Sequence, residues 1–247
     1  MLVPLLLSGL VVFFTHALEA VTGFGCSVLA MPFVTALLGM RQGVMVITIL
    51  AWFLAAYMAI SKRKQINFRQ FGVIAGFMLL GLPLGMFLFR AVNTGILKKI
   101  LAVFIIAVSV SQLALNILFR NRTSEPVRGL KNLPYYLLLI IGGIVHGIFS
   151  TGGPLVVIYA SRALPEKGQF RATLCLLWTV LNTVIIITYF VEGSMTTEIA
   201  ANTGILLPFV ALGIVAGETI HHRLNARIFT IMVFNILLVT GCIMLFL

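Results

Sequence analysis

The sequence predicts an all-α polytopic membrane protein of two inverted five-segment repeats, each with a glycine-rich broken helix or re-entrant turn. Three observations carry this expectation. First, 61% of the 247 residues are hydrophobic and only 9% are charged, where a soluble domain carries about 25% charged residues; mean hydropathy is +1.14. Second, apolar runs follow one another with little polar chain between them. Third, landmarks of the first half return in the second at a nearly constant offset.

The apolar runs lie at 2–21, 26–40, 43–60, 70–89, 97–119, 134–150, 153–164, 172–191, 199–219 and 227–247. A membrane-spanning helix takes about 20 residues, so these runs fill the chain and leave no room for a soluble domain. The start has no Lys or Arg before Arg41. A cleaved signal peptide needs a basic leading region, so the start reads as the first membrane segment. The runs at 26–40 and 153–164 are short. At 1.5 Å per residue they would reach about 22 Å and 18 Å against a hydrocarbon core of about 30 Å. Each follows a glycine-rich turn, Thr22-Gly23-Phe24-Gly25 and Ser150-Thr151-Gly152-Gly153-Pro154.

His16 returns as His146, Thr22-Gly23 as Thr151-Gly152, Gly81 and Gly85 as Gly213 and Gly217, and Asn93 as Asn225. The offset drifts only between 129 and 132. The pentapeptide Asn-Thr-Gly-Ile-Leu at 93–97 and 202–206 has an offset of 109 and reads as coincidence. The organisation is therefore a first membrane repeat over 1–120, a basic cytoplasmic linker over 121–132, and a second repeat over 133–247.

Five segments is an odd number, so the second repeat should be upside down. The gap at 61–69 carries Lys62, Arg63, Lys64 and Arg69, while its counterpart at 191–198 carries only Glu192 and Glu198. Parallel repeats would break the positive-inside rule. Inverted repeats leave only Arg41, Arg90, Lys98 and Lys99 of the 17 basic residues outside. Both termini then face out of a cytoplasmic membrane, whether the short runs span or re-enter. The net charge of +11 thus follows from topology and does not point to nucleic acid.

Small-xxx-small spacing lets helix backbones approach closely in lipid. Gly72, Gly76, Gly81 and Gly85 mark one such segment, Gly143 and Gly147 a second, Gly213 and Gly217 a third. They read as packing glycines, and a glycine face also allows a homodimer. Cys26, Cys175 and Cys242 form no CxxC pair and read as small buried residues rather than a disulfide framework or zinc site.

Function should sit at the two turns. Irregular backbone at membrane depth must be buried in protein or line a watery cavity, and paired breaks in repeats point to a transporter's site. A helix start offers unpaired N–H groups and a positive dipole end, which favour an anion. Pro154 suits the first turn of a helix, and Gly152 and Gly153 permit close approach and positive φ. Thr22, Ser27, Ser150 and Thr151 add hydroxyls. Read singly, each turn is a mere kink; two in matching positions favour a site.

Ionisable residues inside a membrane are rare and usually functional. Glu19 and the paired His16 and His146 are candidates to carry a coupling proton. The alternative is that the histidines bond to backbone and Glu19 is protonated or caps a helix. Glu218, beside His221 and His222, reads as structural. Asn182 needs partners at mid-membrane, Thr173 offers a neutral hydroxyl, and Arg171 either anchors at the interface or touches substrate. Trp52 and Trp178 are core or interfacial.

At these turns the sequence resembles the TauE/SafE sulfite-exporter-like family, the toluene sulfonate uptake permeases. The stretches that carry the likeness are Thr22-Gly-Phe-Gly-Cys-Ser-Val-Leu-Ala-Met-Pro32, Thr151-Gly-Gly-Pro154, and Arg171-Ala-Thr-Leu with Asn182. The resemblance implies transport of sulfite, sulfonates or related organic anions and no organic cofactor. Where many relatives carry a run of glycines, the first turn here reads Gly-Phe-Gly-Cys, so Cys26 should narrow or reshape that half of the site.

The expectation is therefore a secondary active transporter of a small anion working by alternating access. The substrate contacts would come from Thr22, Gly23, Gly25, Cys26, Ser27, Ser150, Thr151, Gly152, Gly153, Arg171 and Asn182. The alternative is a cation or metal transporter using Glu19, His16 and His146. A membrane enzyme is poorly supplied, since the chain has no Asp and no paired carboxylates. A non-transport partner subunit is a further alternative, which flux through this chain alone would dismiss.

Overall fold

The computed structural model describes residues 2–118, 133–220 and 226–246. The regular elements among them are helical: α1 (Leu2–Thr22), α2 (Cys26–Leu38), α3 (Met40–Ser61), α4 (Phe68–Ala91), α5 (Thr94–Leu118), α6 (Leu133–Phe149), α7 (Gly153–Ala163), α8 (Lys167–Val191), α9 (Thr197–Ile220) and α10 (Ala226–Phe246). A single 3-10 turn (Arg63–Gln65) follows α3. Each apolar run of the sequence coincides with one helix. Among the described residues six helices are long and apolar enough to cross a membrane. The 121–132 linker, together with His221, His222 and Asn225, lies outside the described residues.

Helix starts are set by side chains that accept from otherwise unpaired N–H groups. Asn67 accepts from Gln70 N at 3.1 Å before α4. Asn93 accepts from Ile96 N at 2.9 Å before α5, and Thr196 from Ile199 N at 3.3 Å before α9. The pentapeptide at 93–97 thus opens a helix while its copy at 202–206 lies inside α9, as expected of a coincidence.

Two helical hairpins stand out. In the second half α7 folds back along α6. Arg162 donates to the Tyr135 hydroxyl, the rings of Tyr136 and Tyr159 lie 6.0 Å apart, and Gly142 faces Leu155 and Val156. In the first half α2 returns along α1, with Leu18 and Leu29 bordering one groove and Leu7, Leu37 and Met40 another. The latter groove also takes in Lys98 and Met244, so α1 begins and α10 ends at the same end of the bundle.

The strongest packing joins one half to the other: α4 on α6, α1 on α9, α5 on α10 and α3 on α8. Glycines make the first two possible. A Cβ on Gly81 or Gly85 would lie 2.1 Å from the Ile140 or Ile144 carbonyl oxygen, and one on Gly143 would lie 2.1 Å from that of Met78. On the other side, a Cβ on Gly217 would lie 2.4 Å from Ala17 O. Gly72 and Gly76 do not share this role. They are exposed and nothing lies within 4 Å of their Cβ positions, because they sit on the opposite face of α4. The outward faces carry large apolar side chains such as Phe14, Leu80, Leu84 and Phe87, a surface suited to lipid. Cys26 and Cys175 are buried as expected, but Cys242 is exposed, because its position on α10 turns outward.

Candidate functional site

Each hairpin has a short irregular tip. In the first, Gly23 (φ 84) and Gly25 (φ 113) take positive φ, which glycine adopts without a Cβ clash. Gly23 also abuts α8: a Cβ there would lie 2.7 Å from Arg171 Cα. Thr22 closes the tip, its hydroxyl bonding Leu18 O at 3.0 Å and Phe24 O at 2.7 Å. In the second tip the positive φ falls on Ser150 (φ 53), not on the glycines as expected. Gly152 has φ −65; it must be small because a Cβ would lie 2.4 Å from Gly142 O. Gly153 starts α7, followed by Pro154.

Both tips reach the middle of the bundle. Thr48 of α3 and Ser150 of the second tip share a hydrogen bond of 2.6 Å between their hydroxyls. Trp178 of α8 donates from Nε1 to Gly23 O of the first tip at 3.1 Å. Each central helix thus holds the tip of the opposite half, and Thr48 and Trp178 are 130 positions apart, within the repeat's drift. Thr48 is not among the residues nominated from the sequence; its alignment with Trp178 at that offset is the available signal.

One cavity lies between the tips. Its wall includes Glu19, Gly25 and Ser27 from the first hairpin and His146, Ser150, Thr151 and Gly153 from the second, with Ala51 of α3 and Trp178 and Asn182 of α8. The last three stand near the middle of their helices. The free space is about 20 Å³, the scale of one water molecule. Larger grooves elsewhere, such as the one bordered by Trp52, Phe53, Ile187 and Phe190, are apolar and lack convergent polar groups.

The wall's polar atoms are unequally employed. His146 Nε2 and Asn182 Oδ1 lie 3.0 Å apart, and the imidazole stacks on Trp178 at 5.2 Å. His146 Nδ1 and Thr151 Oγ1 are buried without a partner. Buried polar atoms are nearly always paired, so two orphans in one cavity mark a place for a guest. The start of α7 lies beside them, and the first N–H groups of a helix have no intrahelical acceptor. At the start of α2 the situation differs: the Cys26 N–H donates to Glu19 Oε2 at 2.7 Å. Glu19 therefore caps that helix.

The residues nominated from the sequence separate into two groups. Glu19, Gly25, Ser27, His146, Ser150, Thr151, Gly153 and Asn182 line the cavity. Thr22, Gly23, Cys26, Gly152, Arg171 and His16 are not part of its wall. His16 faces its own helix, with Nδ1 2.8 Å from Val12 O and Nε2 buried without a partner. Glu19, His16 and His146 therefore do not form one donor set, and among the described residues no group of three or more His, Cys, Asp or Glu is gathered to hold a metal ion. Thr173 ties the bundle's end together by accepting from Asn67 N at 3.0 Å.

Arg171 stands in the second turn of α8, toward the Lys62 end of the bundle, with its Cα against Gly23 of the first tip. Its Nη2 is 3.6 Å from Glu218 Oε1, which also lies 3.7 Å from Lys62 Nζ, and Tyr57 donates to Glu218 Oε2 at 3.4 Å. This cluster joins α3 to α8 and α9. At the opposite end Arg90, at the close of α4, pairs with Glu192 at the close of α8.

A family model described as Sulfite exporter TauE/SafE matches residues 8–244. The chain belongs to the TauE/SafE sulfite exporter family. It is thus a multi-pass membrane protein of a transporter family, and the match covers both hairpin tips and all of the cavity wall. Comparison with curated proteins found no match, and comparison with solved structures found none either.

Proposed function

We propose that the chain is a secondary transporter of a small oxyanion, sulfite or a compact sulfonate, held between the two hairpin tips and passed by alternating access. The observation that carries this is the orphaned, buried Thr151 hydroxyl beside the start of α7, inside a cavity to which both tips contribute. Ser27, Ser150, Asn182 and the first N–H groups of α7 are the further donors. The tight space favours a compact anion over a bulky aromatic sulfonate. Family membership supports an anion over the alternative cation or metal cargo.

The inverted arrangement of 1–120 and 133–247 is supported by the exchange of partners across the halves, α4 on α6 matching α9 on α1. By the positive-inside rule, the end bearing Lys62, Arg63, Lys64, Arg162 and Lys167 faces the cytoplasm, and both termini face out. The hairpins then enter from opposite sides and return. On this view the Lys62–Arg171–Glu218 cluster closes the inner side and Arg90–Glu192 the outer, leaving the cavity occluded.

The deciding experiment is a thermal-shift panel on purified protein, followed by flux of the best hit in proteoliposomes. Sulfite and methanesulfonate should each raise the melting temperature by several degrees at saturation, through binding to the folded state alone, and divalent metals should not. A shift with metal and none with either anion would favour the cation reading. The two latches have their own test. Glu218→Gln should raise labelling of an Ala51→Cys variant by an impermeant thiol reagent from the side of Lys62, and Glu192→Gln from the other side. About fivefold is expected for Glu192→Gln, since a largely solvent-facing pair contributes about 1 kcal/mol; Glu218→Gln, which also loses Lys62 and Tyr57, should gain at least as much. Gains on the same side for both would count against opposed gates.

A further inference from the structure

A carboxylate is an unexpected wall for a cavity that admits anions. Glu19 is only 3% exposed, and its Oε2 takes the N–H of Cys26 at 2.7 Å. That N–H is the first of α2, at the positive end of the helix dipole where an anion is favoured. Across the same cavity the Thr151 hydroxyl is buried and without a partner. One tip thus already holds an oxyanion supplied by the chain, while the other is open.

The ionised carboxylate hinders a guest anion in two ways. It occupies the amide, and it repels a like charge in a medium of low dielectric constant. The titratable groups around it do not offset this. Cys26 on α2, His146 on α6, Cys175 on α8 and His16 on α1 are the neighbours, and no Lys or Arg stands in the cavity wall. α3 and α9 also pack against α1. The nearest cation is Arg171 of α8, whose Cα lies against Gly23, but its guanidinium is engaged by Glu218, which Lys62 and Tyr57 also meet.

We infer that Glu19 and the transported anion compete for the Cys26 amide, so that a proton must bind Glu19 for the anion to enter, making the chain a proton–anion symporter. This rests on the anion-transport reading above. The proton adds to a Glu19 carboxyl oxygen. The neutral carboxyl is the weaker acceptor, because a hydrogen bond to an ionised group is roughly twice as strong as one between neutral groups. The Cys26 N–H, which lies behind Glu19 and outside the cavity wall while the carboxylate covers it, is then freed for an oxygen of the anion, and Thr151 and the start of α7 hold the far side. On the opposite face the anion leaves, Glu19 gives its proton to water and takes back the amide. With a singly charged anion the cycle moves no net charge.

The test uses proteoliposomes of the full chain with a pH dye inside and methanesulfonate as probe, since it stays ionised throughout the working range and cannot itself ferry protons. An inward methanesulfonate gradient should acidify the lumen by about one proton per anion, and uptake should slow steadily as external pH rises. In Glu19→Gln, any methanesulfonate that moves should do so without acidification and at a rate flat in pH. Wild-type uptake without acidification overturns the symport inference while leaving anion transport intact, as does a Glu19→Gln variant that acidifies like wild type. Absence of any anion flux through wild type overturns both together. The wild-type measurement is decisive even where the variant fails to fold.

Discussion

Replacing Gly85 by leucine is expected to abolish folding, seen as loss of nearly all the monodisperse peak when detergent extracts are run on size exclusion. A Cβ at this position would lie 2.1 Å from the Ile144 carbonyl oxygen and 2.9 Å from Gly147 Cα. Both obstacles are backbone, so no rotamer change relieves them, and α4 and α6 would have to part. Lipid offers no hydrophobic drive to hold helices together. Their attraction is dispersion, which loses a quarter to a half of its depth over a gap of about 0.5–1 Å. The damage would not stay local, because Gly81 and Gly143 use the same seam at the same 2.1 Å approach and the seam joins the two halves. The control is Gly76→Leu. It lies on the same helix, is exposed and meets nothing within 4 Å, so it should extract and melt like wild type, within about 0.5 kcal/mol. Equal behaviour of the two variants would refute the seam.

That contrast also marks where sequence reasoning stops. Gly72, Gly76, Gly81 and Gly85 share one spacing pattern, and nothing in the pattern tells which pair meets a neighbour. In a soluble helix the polar face would give the answer. Here lipid is as apolar as the protein interior, so periodicity is silent about facing. The elements themselves were legible because a bilayer imposes length: each apolar run became a helix, and the two short runs became the short helices α2 and α7. The tips were legible for a similar reason, since glycine and proline punctuate a chain that otherwise must stay helical.

Roles at the tips were less legible. Thr22 and Thr151 stand 129 positions apart in matching Thr-Gly pairs, yet one hydroxyl closes its turn and the other is left free. Gly152 suggested positive φ, but the second tip places that strain on Ser150 and uses Gly152 for close approach. Arg171 suggested either an interfacial anchor or a substrate contact; its partner in the structure is Glu218, five positions beyond Gly213 in the last turns of α9. Each of these depends on which helix lies opposite, and a single sequence does not contain that.

Thr151→Val is expected to cut anion flux about tenfold or more while leaving the melting temperature unchanged or slightly raised. Valine keeps the branched shape and removes a hydroxyl that has no partner in the resting protein. Deleting an unsatisfied buried polar group is neutral or stabilising, so the fold gives nothing up. A hydrogen bond to a charged group contributes about 1.5–3 kcal/mol, and every 1.4 kcal/mol is roughly tenfold in affinity, so the anion-bound state should lose what the empty state does not. Thr151→Ser, which keeps the hydroxyl, should restore most of the flux. The counterpart Thr22→Val should do the reverse. Its hydroxyl bonds Phe24 O and Leu18 O, so its loss should lower the melting temperature first, with flux following stability. If both variants lower melting and flux in step, the hydroxyls are structural alike and Thr151 has no special claim on the anion. If Thr151→Val alone separates flux from stability, the free hydroxyl at the second tip is the contact that distinguishes a guest from an empty cavity.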